Sequence, residues 1–339
     1  AATGNDIPDD PDAPAPVVVE TQSQQVVHII TDNFDMLIDT LGGDIIKVGL
    51  NKHAAQLETP ETPFTLLNRT ADHTYIAKSG LIGKNGTDTA NGRPVFSVSK
   101  NEFVMADGQD EMVVDLDYQQ GQVNITKRFT FTRNDYLVKV EYLIDNQSSE
   151  TWQANLYAQI NRDSHNPVET SGLGMAPFLG AALTTTEENY KKLNFDDIEE
   201  EPLKESIQGG WVAMVQHYFL SAWIADKEQK NTFEIKKQGS NDLYLMRFIT
   251  PKTEVAAGQS ASISTHFYSG PKDVYRLEEI APYLDLTVDY GFLWWIAKPL
   301  FYVLHFIHNL LGNWGWSIVM LTVCIKAVFF HLSATSYRS

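Results

Sequence analysis

From about residue 24 to residue 270 apolar and polar side chains alternate with a period of two. In "QVNITKRFTF" Val123, Ile125, Lys127, Phe129 and Phe131 share one face, and in "TWQANLYAQI" Trp152, Ala154, Leu156, Ala158 and Ile160 do the same. That spacing belongs to half-buried strands. "QVVHII", "DMLID", "DIIKVGL", "EMVVDLDY", "YLVKVEYLID", "NTFEIKK", "LYLMRFI" and "ASISTHFY" repeat it. Asn134-Asp135 supplies a turn at hairpin spacing between two of these strands. Glycine-rich stretches such as Gly42-Gly43, "GKNGTDTANGRP" and Gly209-Gly210 separate others. So many strands, with no long helical pattern between them, predict a mainly β fold of antiparallel sheets packed as a large sandwich over 24–270.

Helical spacing enters in four places. "TTEENYKKL" begins with Thr185 three residues before Glu188, a capping-box spacing that predicts a short helix. In "PKDVYRLEEIAPYLDL" Val274, Leu277, Ala281 and Leu284 recur at helical steps after Pro271, predicting a closing helix and connector over 271–290. "FLWWIAKPLFYVLHFIHNLL" is apolar around most of its circumference, but Lys298, His305, His308 and Asn309 form a narrow polar stripe. This predicts an amphipathic helix over 291–311 lying in a membrane interface, with Trp294 and Trp295 among the head groups; a core helix of the sandwich is the competing reading. After the "GNWG" break, residues 312–339 are long and apolar enough for one membrane span, with Trp314 and Trp316 at its start and Tyr337 and Arg338 at its end.

Charge follows the same division. The chain of 339 residues has a formal net charge of −17, and every Asp and Glu precedes residue 290, so the first 290 residues carry −20 and the remainder +3. An acidic body is repelled by phosphate backbones, which excludes nucleic acid as a natural partner. Cys324 is the single cysteine, so neither an intrachain disulfide nor a cysteine metal cluster is possible. The opening "AATGNDIPDDPDAPAP" has no initiator Met and no signal-peptide pattern; it reads as a fragment or a processed chain. Its alternating Pro, Asp and Ala make residues 1–23 an expected disordered linker. Arg338 beyond the span, opposite the acidic body, orients the C-terminal end to the cytoplasm and the sandwich outside, which in a bacterium is the periplasm.

Lys326 sits near the middle of the expected span, where a charge costs about 2.5–3.5 kcal/mol on insertion scales. Its amine can snorkel to one interface, or it can face a water-filled groove that attracts polar or acidic parts of a passing chain. Thr322, one turn earlier on the same face, can serve either arrangement.

The stretch "LDLTVDYGFLWWIAKPLFYVLHFIHNLLGNWGWSIVMLTVCIKAVFF" resembles the junction between the periplasmic domain and second membrane span of the bacterial YidC membrane protein insertases. "GGWVAMVQHYFLSAWI", "SGLIGKNGTDTANGRPVFSV" and "GGDI" are similar to stretches of that family's periplasmic domain, so the resemblance covers about residues 26–339. It implies a super-β-sandwich related to galactose mutarotases, an interfacial helix, and a span lining a hydrophilic groove. Lys326 matches a groove position that is usually arginine, and lysine keeps the charge without the planar fork. Thr322 matches a groove threonine, while His331 stands where close relatives carry proline. The implied function is insertion and folding of inner-membrane proteins, alone or with the Sec translocon. The implied partners are nascent membrane proteins, the Sec translocon, SecDF and the lipid bilayer. No enzymatic step and no cofactor is implied, and no metal motif, phosphate loop or triad occurs at recognisable spacing.

The alternative is a membrane-anchored sandwich that binds a carbohydrate or a peptide. A mutarotase-like activity needs a histidine and a carboxylate about a sugar ring. His165 in "NRDSHNP" and His217 are candidates without diagnostic spacing.

Overall fold

The computed structural model describes residues 25–56, 59–166, 177–288 and 294–338, apart from the side chains of Gln56, Pro60, Trp294, Trp295, Lys298 and 331–338. The expected linker, residues 1–23, lies outside the described residues. The chain divides into two compact units, the first ending at Thr287 and the second beginning at Val288.

Two sheets build the first unit. The larger has eleven strands, ten of them in the spatial order Leu203–Gln208, Lys230–Lys237, Tyr244–Ile249, Trp152–Arg162, Thr74–Ile82, Thr59–Arg69, Asp44–Gln56, Phe34–Asp39, Val26–Ile30 and Glu102–Val104. The eleventh, Thr253–Val255, pairs beside Trp152–Arg162. The smaller sheet has nine, in the order Lys191–Leu193, Gly180–Leu183, Trp211–Val215, Phe219–Ile224, Ser260–Pro271, Leu137–Asn146, Val123–Thr132, Glu111–Gln120 and Ser97–Val98. Neighbours pair antiparallel except Val26–Ile30 with Glu102–Val104. All ten alternating segments read from the sequence fall in these strands, although Tyr244–Ile249 and the second half of Trp152–Arg162 are buried on both faces instead of one. Val123, Ile125, Phe129 and Phe131 from the smaller sheet join Trp152, Ala154, Leu156, Ala158 and Ile160 from the larger in one core. Trp223 crosses it, its Nε1 donating to the Gln159 carbonyl at 3.0 Å.

The helix expected at Thr185 does not form. Half of its capping box is present, Glu188 N–H on Thr185 Oγ1 at 2.9 Å, but Thr185 N–H donates to the Glu188 backbone carbonyl instead of the side chain. These bonds close a turn, because the next residues, Lys191–Leu193, are committed to the smaller sheet opposite Ala181–Leu183. The true helix, α1 (Phe195–Glu200), is capped nine residues later by Asn194, whose side chain accepts from Asp197 N–H while the Asp197 carboxylate accepts from Asn194 N–H.

The closing helix is shorter than its apolar period. Helix α2 (Val274–Ile280) starts on Asp273, whose carboxylate accepts from Tyr275 and Arg276 N–H, and ends at Ala281, which is extended. A 3-10 turn, Leu284–Thr287, follows. Val274, Leu277, Ala281 and Leu284 are nonetheless all buried. Arg276 ties the helix to the predicted Asn134-Asp135 turn through a two-pronged ion pair with Asp135, at 2.6 and 3.1 Å. Asp273→Ala leaves two helix N–H groups without their acceptor, and the expected cost is about 1 kcal/mol in urea unfolding.

A buried polar centre links the sheets at the glycine motifs. Lys127, on the apolar face of its strand, is 1% exposed. Its Nζ donates to the carbonyls of Gly42 (2.9 Å), Gly43 (2.9 Å) and Ser79 (3.0 Å). Arg93 is paired with Asp44 and Asp88 and also donates to Ser79 O. Asp88 further accepts from Leu81 N, Thr87 Oγ1 and Tyr157 OH. "GGDI" and "GTDTANGRP" therefore meet in space. Gly42 and Gly43 have positive φ, and a Cβ on Gly42 would lie 2.2 Å from Arg93 Cζ, one on Gly43 2.8 Å from Lys127 Cδ. Only glycine lets the backbone approach both cations this closely.

Candidate functional site

The second unit is a helical hairpin. Helix α3 (Trp294–Leu311) carries Pro299 at its sixth position, past the first turn, so the helix forgoes the N–H that would pair with the Trp295 carbonyl. Gly312, at φ 64, ends it by donating to His308 O at 2.7 Å. Asn313 then opens helix α4 (Trp314–Arg338): its Oδ1 accepts from Trp316 N, and its carbonyl from Ser317 N and Oγ. The "GNWG" break is thus a C-cap followed directly by an N-cap.

His305, His308 and Asn309 of the polar stripe gather at this turn. His308 stacks on Trp314 with centroids 3.8 Å apart, His305 meets the same ring edge-on at 6.0 Å, and Asn309 Nδ2 lies 3.4 Å from His305 Nδ1. Trp314 is therefore half covered by histidines, whereas Trp316 is 67% exposed. Trp294, Trp295 and Lys298 belong to α3, but their side chains lie outside the described residues. On α4 the sheltered stripe is Ser317, Leu321 and Ile325, at steps of four, and the apolar side chains around it, including Ile318, Val323, Val328, Phe329 and Phe330, are exposed.

Thr322 and Lys326 stand one turn apart beside that stripe, both exposed. Thr322 turns its hydroxyl back to Ile318 O at 2.8 Å. Lys326 makes no ion pair among the described residues. The helix thus sets the two side by side, and no further polar group of the described residues joins them. Among the described residues no helix is long and apolar enough to cross a membrane; the side chains of 331–339, the last third of the expected span, lie outside that set.

The histidines weighed for sugar chemistry are differently placed. His165 gives Asp163 its backbone N–H rather than its ring, and it is His73 whose Nδ1 lies 2.9 Å from that carboxylate. The His217 ring packs on Tyr218 at 3.9 Å. The groups that the sequence reading missed are Arg93, Asp44 and Asp88; the one available signal was Lys127 itself, a cation on an otherwise apolar strand face.

A two-sheet β-sandwich followed by an exposed apolar hairpin with Lys326 on its second helix defines the class of architecture. Residues 26–303 match the family described as YidC periplasmic domain, and the chain belongs to the YidC family. It is 56% identical over 320 residues to the membrane protein insertase YidC of Cellvibrio japonicus, covering 94% of this chain and 58% of that protein. It is 49% identical over 316 residues to that of Saccharophagus degradans, covering 93% and 56%. The chain thus spans somewhat over half the length of these relatives. Among solved structures, a galactose mutarotase-like protein from Lactobacillus casei overlaps 72% of this chain and 99% of its own at 12% identity, TM-score 0.46. A galactose mutarotase related enzyme from Lactobacillus acidophilus overlaps 72% and 97% at 10% identity, TM-score 0.45.

Proposed function

We propose that this chain is the sandwich and first hairpin of a membrane protein insertase of the bacterial inner membrane, with the sandwich in the periplasm. Helix α3 lies in the interface, anchored by Trp294, Trp295 and Lys298, with Trp314 and Trp316 at the same level. Helix α4 crosses the hydrocarbon core within 312–339. Nascent membrane proteins are the clients, and the Sec translocon and SecDF are proposed partners of the whole protein.

The observation that carries this reading is Lys326, the one Lys or Arg among the described side chains of helix α4, one turn after Thr322 and among exposed side chains that are otherwise largely apolar. A charge at that depth is tolerated where water reaches it. In a hydrated groove it lowers the cost of bringing an acidic or polar client segment to bilayer depth, while the client's apolar helix passes into lipid. No covalent bond changes. The work is solvation supplied along a path.

The test is made in the full-length protein, with a client carrying an acidic translocated tail. Lys326→Ala is expected to slow its insertion roughly tenfold, the equivalent of one modest charge interaction, and Lys326→Arg to retain it. Unchanged insertion of every acidic-tailed client by the alanine variant would reject the groove role.

A further inference from the structure

A groove of about 500 Å³ crosses the larger sheet over five neighbouring strands, from Leu203–Gln208 through Lys230–Lys237, Tyr244–Ile249 and Trp152–Arg162 to the end of Thr74–Ile82. At about 4.8 Å per strand, its four steps span about 19 Å. Lys84, Lys204, Lys230 and Lys252 line it. Three of them, Lys84, Lys204 and Lys230, make no ion pair among the described residues and are exposed. Lys252 is shared between Glu254 at 2.7 Å and Gln153 at 3.1 Å. The carboxylate in the lining, Glu234, is already engaged by Arg247 and Lys236. Beneath the lysines, Ile82 and Ile249 pack with Tyr157 as an apolar floor. On a body of charge −20 this groove is a local reversal of sign.

We propose that the groove docks the chain's own acidic N-terminal segment, "DIPDDPD". Asp6, Asp9, Asp10 and Asp12 put four carboxylates into seven residues, matching four lysines, and Ile7 among them suits the apolar floor. Seven residues of Pro-rich extended chain reach about 22 Å, the length of the groove. A single small anion would engage one or two lysines and leave the rest facing each other. The tether is long enough: residues 13–24 can span about 37 Å, and Val26–Ile30, where the first strand begins, lies four strands or about 19 Å from Thr74–Ile82. Because the segment is tethered, its effective concentration at the groove is in the millimolar range, so weak ion pairing suffices.

The test is zero-length carbodiimide coupling on the full chain, which joins carboxylates to amines already in contact, followed by peptide mass spectrometry. Mixing isotopically heavy and light chains separates links within a chain from those between chains. Links from Asp6–Asp12 to Lys84, Lys204 and Lys230 are expected at least about fivefold above links to the exposed Lys100 and Lys227, falling roughly tenfold in about 0.5 M salt. The triple variant Lys84→Gln, Lys204→Gln, Lys230→Gln, all surface changes, should lower the total yield from the segment by a similar factor. Groove lysines linked no more often than Lys100 and Lys227, linked only between chains, or linked chiefly to other carboxylates would overturn the proposal.

Discussion

Arg93→Met lowers the stability of the sandwich by about 3–5 kcal/mol, the cost of leaving buried charge without its partner. The guanidinium is held between Asp44 and Asp88, with side-chain exposures of 6%, 6% and 1%. Methionine fills much of the volume but returns nothing to the two carboxylates, and Ser79 O loses one of its two donors. Lys127 remains nearby, but its amine is already spent on three carbonyls. Adding Asp44→Asn and Asp88→Asn to Arg93→Met removes the stranded charges and should recover a large part of the loss, since neutralising a whole buried group costs far less than splitting it. Urea unfolding followed by fluorescence of the buried Trp152, Trp211 and Trp223 gives both numbers. A loss below about 1 kcal/mol for Arg93→Met would mean that the centre is wetter and weaker than its burial indicates.

The same centre shows what the sequence could and could not convey. Strands were legible because a one-sided period of two survives in any antiparallel sandwich, and Val123 to Phe131 kept theirs through a lysine. The depth of Lys127 was not legible, because its acceptors at Gly42 and Gly43 lie 85 and 84 residues away and only the fold brings them within reach. The quoted stretches "GGDI" and "SGLIGKNGTDTANGRPVFSV" carry a resemblance whose physical reason the fold supplies at Gly42, Gly43 and Arg93. Thr185 failed for a local cause, since a capping box and a tight turn share hydrogen bonds and the pairing of Lys191–Leu193 into the sheet decides between them. On the hairpin, the break at Gly312-Asn313 and the oddity of Lys326 were both legible. What faces Lys326 was not, because one helix carries no record of its neighbours. The stacking of Trp314 on His308 was not legible either, because it depends on the angle at which two helices meet.

Lys127 also makes the sandwich sensitive to alkaline pH. Burial pushes its ammonium down from 10.5 to about 7, with Asp44 and Asp88 pulling the other way and Arg93 adding to the fall. Below pH 7 the folded and unfolded chains both carry the proton, so the penalty for burying the charge is present in full and does not vary. Between pH 7 and about 10 the folded amine is neutral while the unfolded one still binds a proton. Unfolding then takes up a proton, and raising the pH favours the folded state by up to tenfold per unit, about 4 kcal/mol at most over the window. The gain is partly offset, because three carbonyls at 2.9–3.0 Å suit the three hydrogens of an ammonium and a neutral amine satisfies only two of them. Tyr142 and Tyr157, whose hydroxyls burial pushes far up, act in the opposite sense above pH 10 and close the window there. Comparison with Lys127→Met cancels every other titration. The difference in unfolding free energy between the two proteins should stay flat from pH 5 to 7 and then grow in favour of the lysine up to pH 10; a flat line throughout would mean that the carbonyl cradle keeps the ammonium charged despite its burial.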